Sequence, residues 1–317
     1  MPYMSQSVVS PPRSYVEAMS DRSIANRNRT LLTQSPQLRR GGGKRRAPGS
    51  PNGSSNKVAK CSSVDSLGAY SRLISDLRSN NSQDLVLFRG HRNFDRPLLP
   101  KIGRGETRLK GGRQSDLPDV EKRLFGNFKR FGLPFLHIRP EDELDWLAIA
   151  QHHGLPTRLL DWTGNALAAL WFAVRCSPIK ENGVLRPGAV WVLNPRDKDF
   201  FERIDRVKPF TVTSAKVYRP KHITQRLIAQ AGYFTLHPLD RATSRFKPLT
   251  RNATLEGEIT KISIPPNAFC DLRDDLERLG VSDLTMFPDL DGICRFITWN
   301  ASLLEDEHDP PNVLLNQ

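Results

Sequence analysis

The chain has 317 residues, of which 38% are hydrophobic and 26% are charged, and its formal net charge is +13. This composition is typical of a soluble protein that is long enough to bury one sizeable core or two. No run of about eighteen apolar residues occurs, which argues against a membrane-spanning helix, and the first residues lack the basic and apolar pattern of a secretory signal.

Four cysteines, Cys61, Cys176, Cys270 and Cys294, lie far apart in the sequence and form no CxxC pair. Zinc ribbons and disulfide frameworks have closer or patterned cysteine spacing. We therefore predict free thiols in a reducing compartment, which is the cytoplasm or, in a eukaryote, the nucleus.

Most of the positive charge lies in the first 60 residues. This stretch contains eleven Lys and Arg residues against Glu17 and Asp21, a net charge of +9, so that the remaining 257 residues carry +4. It is rich in Ser, Pro, Gly and Asn and cannot bury enough apolar surface to offset the entropy lost on ordering. We therefore predict a disordered basic arm over residues 1–61.

The densest basic run of this arm is Arg39–Arg46, which is interrupted by Gly41–Gly43. Such a run can bind the phosphates of a nucleic acid or act as a nuclear import signal. Nucleic acid is therefore one predicted partner of the arm, and a solvated linker is the alternative interpretation.

A folded domain is predicted over residues 62–305, followed by a C-terminal tail of residues 306–317. Apolar residues recur at helical spacing in six segments: 64–77, preceded by Ser62 and Ser63 as candidate caps, 120–131, 141–152, 165–174, 221–230 and 266–279. Short apolar or alternating runs predict strands at 84–88, 189–193, 233–236 and 259–264. Because these elements do not alternate regularly as in a doubly wound sheet, we predict a single α+β domain.

Three segments combine polar and strongly apolar residues: LFRGH at Leu87–His91, QHHGLPTRLLDWT at Gln151–Thr163 and FPDLDG at Phe287–Gly292. In the first, Arg89 follows a predicted strand and precedes Gly90. An arginine can hold a phosphate or carboxylate through two parallel hydrogen bonds, and a glycine lets the ligand approach the backbone closely. Arg89 is therefore a candidate phosphate ligand, and the alternative is an ion pair with Asp161 or another internal carboxylate.

Several residues of the second segment have more than one interpretation. His152 and His153 are adjacent, so on a helix their side chains point about 100° apart and share a metal ion poorly, and we predict no metal site. One of them could act as a base or ligand donor, or cap the end of the helix. Arg158 and Asp161 are predicted to form a buried pair that supports the site. Trp162 is predicted to be core, and the alternative is that it stacks on a nicotinamide or adenine ring.

In the third segment, Asp289 and Asp291 are predicted to build a turn rather than to bind a cation. The chain has no GxGxxG motif after a strand and no P-loop, HExxH or GxSxG motif. Kinase, P-loop and serine-hydrolase chemistry are therefore disfavoured.

Together the three segments resemble the FRG domain, a family named after its Phe/Tyr-Arg-Gly motif. Phe88-Arg89-Gly90 matches that motif, and Gln151–Thr163 matches the most distinctive stretch of the family. The segments Gln230–Thr235 (QAGYFT) and Phe287–Gly292 are similar to its later motifs, so that the resemblance covers about residues 65–300. The family has no established activity, and the resemblance indicates a family without indicating a reaction.

The order of these features is also similar to that of Arg-Ser-Glu ADP-ribosyltransferases, which bind NAD with the arginine at a phosphate. This similarity implies a mixed, ADP-ribosyltransferase-like sheet with flanking helices and a nucleotide pocket for NAD. The candidate cofactor-binding residues are Arg89, Gly90, His152, His153, Thr157 and Thr163, with either threonine at the Ser/Thr position.

Gln230 stands where the catalytic glutamate of such enzymes is expected. A glutamine cannot carry the negative charge that stabilises an oxocarbenium-like transition state. Gln230 and Glu258 are the candidate catalytic residues: either an acid such as Glu258 or Glu256 serves, or the pocket binds its ligand without turnover.

Two function hypotheses follow. The first is an NAD-binding domain that transfers ADP-ribose or hydrolyses NAD, and the second is a non-catalytic binding module whose basic arm contacts nucleic acid. The missing catalytic glutamate favours the second hypothesis, and the order of arginine, threonine and late strand favours the first.

Overall fold

The computed structural model describes residues 58–79, 85–105, 116–136, 139–221, 225–252 and 254–307. The predicted basic arm up to residue 57 and the predicted tail beyond residue 307 lie outside the described residues. No helix in these ranges is long and apolar enough to span a lipid bilayer. Cys176, Cys270 and Cys294 are free thiols.

Helices and short strands alternate irregularly along the described chain. The helices are α1 (Leu67–Ser79), α2 (Leu117–Gly132), α3 (Glu143–His152), α4 (Ala166–Val174), α5 (Gln225–Ala229), α6 (Phe269–Arg278), α7 (Asp283–Met286) and α8 (Leu290–Ala301). The strands are β1 (Val58–Ser63), β2 (Leu87–His91), β3 (Leu159–Thr163), β4 (Lys180–Glu181), β5 (Val184–Leu185), β6 (Gly188–Asn194), β7 (Lys216–Tyr218), β8 (Gly232–Leu236), β9 (Leu239–Asp240), β10 (Arg245–Phe246) and β11 (Glu258–Ile264). The predictions that correspond to α2, α3, α4, β6, β8 and β11 are confirmed within a few residues.

A seven-stranded sheet organises the fold, in the order β1-β11-β6-β2-β3-β8-β7. β1 and β11 run parallel, and each of the other neighbouring pairs is antiparallel. This mixed sheet with flanking helices forms a single α+β domain, as predicted. The hairpins β4–β5 and β9–β10 form separate two-stranded sheets.

Two predicted elements differ from the structure. Ser62 and Ser63, which are predicted to cap a helix, are the last residues of β1, and their backbone pairs with β11 before α1 begins. The strand predicted to end at Phe88 continues to His91, because its backbone pairs with β6 over five residues. Arg89 therefore lies inside a strand and not at its end.

Two of the elements that have no counterpart among the predictions belong to the motif segments. β3 occupies LLDWT of the second motif segment, where four of the five residues are buried and Asp161 is exposed, so the alternation expected of a strand is weak. α8 begins inside the third segment, at Leu290, and Asp289 caps it by accepting a hydrogen bond from the backbone N–H of Gly292 at 2.7 Å. The aspartate predicted to build a turn therefore begins a helix.

One face of the sheet is covered by α4, which is apolar on all sides because it lies between the sheet and other helices. The buried cluster on this face includes Val190 and Ile262 of the sheet and Phe269 of α6. Trp171 of α4 is buried in this layer.

The opposite face carries a second buried cluster, since neighbouring residues of a strand point to opposite sides of the sheet. Leu87 of β2 and Leu160 and Trp162 of β3 belong to it. The burial of Trp162 confirms its predicted core position. A third cluster joins α2 and α3 to β8.

A buried ion pair links α2 to the start of β3. Arg158 donates through Nε to Oε1 of Glu121 at 2.8 Å, through Nη2 to Oε2 of the same carboxylate, and through Nη1 to the carbonyl of Pro209 at 2.8 Å. Both charged side chains are 2% exposed. The predicted pair of Arg158 with Asp161 is wrong, because residues three apart in an extended strand point to opposite faces. Asp161 pairs with Arg89 instead.

Replacing Glu121 by alanine should leave the guanidinium of Arg158 buried without its carboxylate and lower the free energy of unfolding by about 3–5 kcal/mol. The double variant Glu121→Leu/Arg158→Met removes both charges together and should recover most of that loss. Urea unfolding of the three proteins measures both effects. A loss below about 1 kcal/mol for Glu121→Ala, the value of an exposed pair, would contradict the importance of this contact.

Candidate functional site

The two central strands of the sheet pair with each other at one position. β2 pairs with β6 over five residues and β3 pairs with β8 over five residues, whereas β2 and β3 form a backbone pair at Phe88 and Thr163. Next to that pair, the side chain of Arg89 takes the place of a backbone donor, because its Nη1 donates to the carbonyl oxygen of Asp161 at 2.6 Å. A side chain therefore bridges the gap between these strands.

A cleft with a volume of about 310 Å³ opens at this gap. Its lining comes from β2, β3, α4 and neighbouring segments: Phe88, Arg89, Gly90, Lys101, Arg104, Gln151, Gly154, Leu155, Asp161, Trp162, Thr163, Phe172, Arg226 and Gln230. The first two motif segments thus meet in one cleft.

The lining of the cleft is rich in positive charge. Four cationic side chains, Arg89, Lys101, Arg104 and Arg226, face one carboxylate, that of Asp161, among the described residues that line it. Phe172, which is half-buried, supplies apolar surface, whereas Phe88 and Trp162 border the cleft from the buried core. A cleft with this excess of cations attracts anionic groups, and arginine is the side chain best suited to hold phosphate or carboxylate.

The sequence left two interpretations of Arg89 open, a phosphate ligand in a pocket and an ion pair with Asp161, and its position is compatible with both. Arg89 lines the cleft, and its Nη1 also lies 3.3 Å from Oδ2 of Asp161. Burial lowers the pKa of the Arg89 guanidinium, and the charge of Asp161 opposes that shift. Its Nε donates to Nε2 of His91 at 3.1 Å, so the guanidinium is held from two sides.

His91 is a site residue that the sequence prediction does not include. It is 6% exposed, and burial, together with the charges of Arg89 and Arg104, lowers its pKa to about 2. The imidazole is therefore neutral at physiological pH, which allows Nε2 to accept the hydrogen bond from Arg89. The feature of the sequence that could have identified His91 as a site residue is its position two residues after Arg89, because alternate residues of a strand share one face.

Gly90 is required by packing against α4. A Cβ atom at this position would lie 1.9 Å from the carbonyl oxygen of Ala169 and 2.7 Å from the backbone nitrogen of Ala173. Helix backbone atoms cannot move away at low cost, so a side chain here would displace α4 from the sheet. The backbone of α4 is thus the group that approaches Gly90 closely. The backbone of Gly90 also lines the cleft.

Arg226 enters the cleft from α5. Its guanidinium lies over the ring of Phe287, 4.4 Å from the centroid, and no carboxylate of the described residues forms an ion pair with it. Burial lowers the pKa of Arg226, while the charges of Asp161 and Asp289 act in the opposite direction. Arg226 is a second residue that sequence reasoning misses, since nothing in the local sequence of α5 distinguishes it from a surface arginine.

The predicted residues Thr163 and Gln230 line the cleft together. The hydroxyl of Thr163 donates to the backbone carbonyl of Gln230 at 2.6 Å and accepts from the backbone N–H of Asn165 at 2.9 Å. The side-chain Nε2 of Gln230 donates to the carbonyl of Met286 at 3.0 Å. These bonds hold the start of α4 and the end of α5 at the cleft.

Thr157 lies just behind the cleft. It is 1% exposed, accepts from the backbone N–H of Leu159 at 3.1 Å and donates to Oε1 of Gln151. Gln151 in turn donates through Nε2 to Oδ1 of Asp161 at 2.9 Å. Thr157 therefore orients a cleft residue and does not line the cleft itself.

The other predicted site residues lie outside the lining. The rings of His152 and His153 meet edge to face at the end of α3, 4.8 Å apart, and burial lowers the pKa of His152 to about 4. Glu258 lies at the exposed start of β11, 4.0 Å from Arg196. Among the described residues, no group of three or more His, Cys, Asp or Glu side chains is arranged to hold a metal ion.

Residues 84–182 match the family model of the FRG domain. The chain contains an FRG domain. The matched segment includes Phe88-Arg89-Gly90 and the whole of Gln151–Thr163, whereas Arg226 and Gln230 reach the cleft from outside it. No curated protein and no solved structure matches the chain. The similarity to ADP-ribosyltransferases stays a prediction.

His237, which directly follows β8, is a second buried histidine. His237 is 1% exposed, and its Nε2 is 3.1 Å from the hydroxyl of Thr235, which accepts from Nε1 of Trp162 at 3.1 Å. Burial, with the charges of Arg89 and Arg158, lowers the pKa of His237 to about 3. His237 is therefore neutral in the folded protein.

Lowering the pH from 7 to 5 should destabilise the fold. Both buried imidazoles, His91 and His237, have folded pKa values below the unfolded value of about 6.5, so the unfolded chain binds more protons and stability falls as the pH drops below that value. Each contributes a loss of roughly 1.4 kcal/mol per pH unit below about pH 6. Urea unfolding at pH 7, 6 and 5 measures the slope.

The matched variant for this pH dependence is His237→Gln, which removes one titrating group outside the cleft lining. Its stability should fall by about 2 kcal/mol less between pH 7 and pH 5 than that of the unmodified chain. An unchanged slope would show that His237 is not buried in its neutral form.

Proposed function

We propose that the cleft binds a nucleotide, with its cations at the phosphates and the half-buried ring of Phe172 against the base or the nicotinamide. NAD is the first candidate ligand. The excess of cationic over acidic side chains and the half-buried ring of Phe172 support this assignment. A ligand with both anionic and flat apolar parts matches that combination.

The observation that carries the proposal is the position of Arg226. Its guanidinium is partly buried and held over Phe287, and it has no ion-pair partner among the described residues. Removing a charged group from water is costly unless an opposite charge or hydrogen bonds replace the lost hydration. A bound phosphate supplies both, and Arg89 on the facing strand can share it.

The volume of the cleft restricts how a ligand can lie. About 310 Å³ is at the lower end of the range for small-molecule pockets. A nucleoside diphosphate matches this size and charge, and in a dinucleotide such as NAD the remaining nucleoside would extend over the rim. ADP is therefore the smaller probe of the same proposal.

ADP-ribosyl transfer or NAD hydrolysis is the reaction class that belongs to this proposal. The candidate catalytic residue Gln230 lines the cleft but is uncharged, and its amide is bonded to Met286. Glu258 is 67% exposed and lies outside the cleft lining. These positions favour a cleft that binds the nucleotide with weak turnover at most.

Replacing Arg226 by alanine should weaken ADP and NAD binding about tenfold or more, because a charge-assisted hydrogen bond contributes about 1.5–3 kcal/mol. Isothermal titration calorimetry of the whole chain measures the change. Arg295→Ala is the matched control: Arg295 also lies over Phe287, at 4.5 Å, but it pairs with Asp283 and does not line the cleft.

The control variant should bind both nucleotides as the unmodified chain does. Equal losses in Arg226→Ala and Arg295→Ala would place the effect in the packing around Phe287. Absence of ADP and NAD binding by the unmodified chain would overturn the proposal itself.

A further inference from the structure

Asp161 supplies the one carboxylate among the described residues of a cleft that is otherwise cationic. Its side chain is 55% exposed, although it contacts two donors. Oδ1 accepts from Nε2 of Gln151 at 2.9 Å, and Oδ2 lies 3.3 Å from Nη1 of Arg89. A simple phosphate site does not need an acid at this position, since the negative charge opposes binding of an anion.

The orientation of this carboxylate is fixed from behind. Thr157 donates to Oε1 of Gln151, so the amide oxygen is used and the amide nitrogen points towards Asp161. The same nitrogen also lies 3.3 Å from the carbonyl of Leu159. Asp161 is therefore placed by a chain of hydrogen bonds that begins at Thr157, which is 1% exposed, and reaches the carboxylate through Gln151.

The carboxylate retains acceptor capacity towards the cleft. Two carboxylate oxygens offer about four acceptor positions, and Gln151 and Arg89 occupy one position on each oxygen. Hydroxyl groups are the neutral donors that bind a carboxylate without adding charge, and two neighbouring hydroxyls can reach both oxygens. Cations for phosphate and an acceptor for hydroxyls thus lie in the same cleft.

We propose that Asp161 is a specificity residue that selects ribose-bearing nucleotides by accepting hydrogen bonds from ribose hydroxyls. This inference rests on the proposed function and names its ligand class more closely. Inorganic polyphosphate meets the same cations but is repelled by Asp161, whereas a phosphorylated ribose gains hydrogen bonds there. A site whose polar groups need partners discriminates strongly against ligands that leave them unpaired.

The alternative role of Asp161 is structural: it would only hold Arg89 in place. The variant Asp161→Asn separates the two roles because asparagine has the same shape and keeps an oxygen that can accept from Gln151. A residue that only positions Arg89 affects all phosphate ligands in the same direction. If Asp161 reads ribose, its replacement weakens the binding of ribose-bearing ligands and does not weaken the binding of ribose-free ones.

The experiment measures binding of ADP-ribose and of inorganic pyrophosphate to the whole chain and to Asp161→Asn by calorimetry. We expect ADP-ribose affinity to fall about tenfold in the variant, and pyrophosphate affinity to stay equal or rise because a repulsive charge is removed. Glu258→Gln is the matched control, since it removes an exposed carboxylate outside the cleft and should change neither affinity.

The possible failures are distinguishable. If neither ligand binds the unmodified chain, the proposed function fails, and with it the ground for this inference. If both bind and Asp161→Asn weakens both alike, or leaves ADP-ribose binding unchanged, nucleotide binding stands and the role of Asp161 in reading ribose is overturned. A thermal melt of each variant verifies that the fold is retained.

Discussion

The guanidinium of Arg89 is the interaction on which the site depends. It lies beside the position where β2 and β3 pair, and it joins the two strands through the carbonyl oxygen of Asp161. His91 holds it from the other side, because burial keeps that imidazole neutral and able to accept a hydrogen bond. The bridging side chain gives this carbonyl a hydrogen-bond partner at a point where no backbone N–H of β2 pairs with it. One contact therefore completes the sheet and forms a wall of the cleft.

The charges around this bridge are arranged in two ways. Where a cation is fully buried and away from the cleft, as in Arg158, a carboxylate and a carbonyl satisfy it, and the pair serves the packing of α2 on β3. In the cleft, by contrast, Asp161 is shared between Arg89 and Gln151, and Arg226 has no ion-pair partner in the described part of the chain. A bound anion would pair with Arg226 in the cleft, whereas Arg158 already has its carboxylate. This difference is the physical basis for assigning function to the cleft.

The sequence predicts the local elements better than their assembly. Helices α2, α3 and α4 and strands β6, β8 and β11 follow from apolar periodicity, and the motif residues Arg89 and Gln230 do line one cleft. The order of strands could not be predicted, because it depends on pairings between distant segments. For the same reason the partner of Arg158 is Glu121, which is 37 residues away, and not a neighbour in its own motif. Arg226 carries no local signal, since only the packing of α5 against Phe287 brings it to the cleft.

Hydrogen–deuterium exchange of the whole chain, with and without saturating NAD, tests most directly that the gap between the central strands is the ligand site. We predict slower amide exchange in β2, β3 and α5, which supply Arg89, Asp161 and Arg226, and no change in the exposed start of β11 at Glu258. Protection confined to segments away from the cleft, or no protection at saturating NAD, would contradict this prediction.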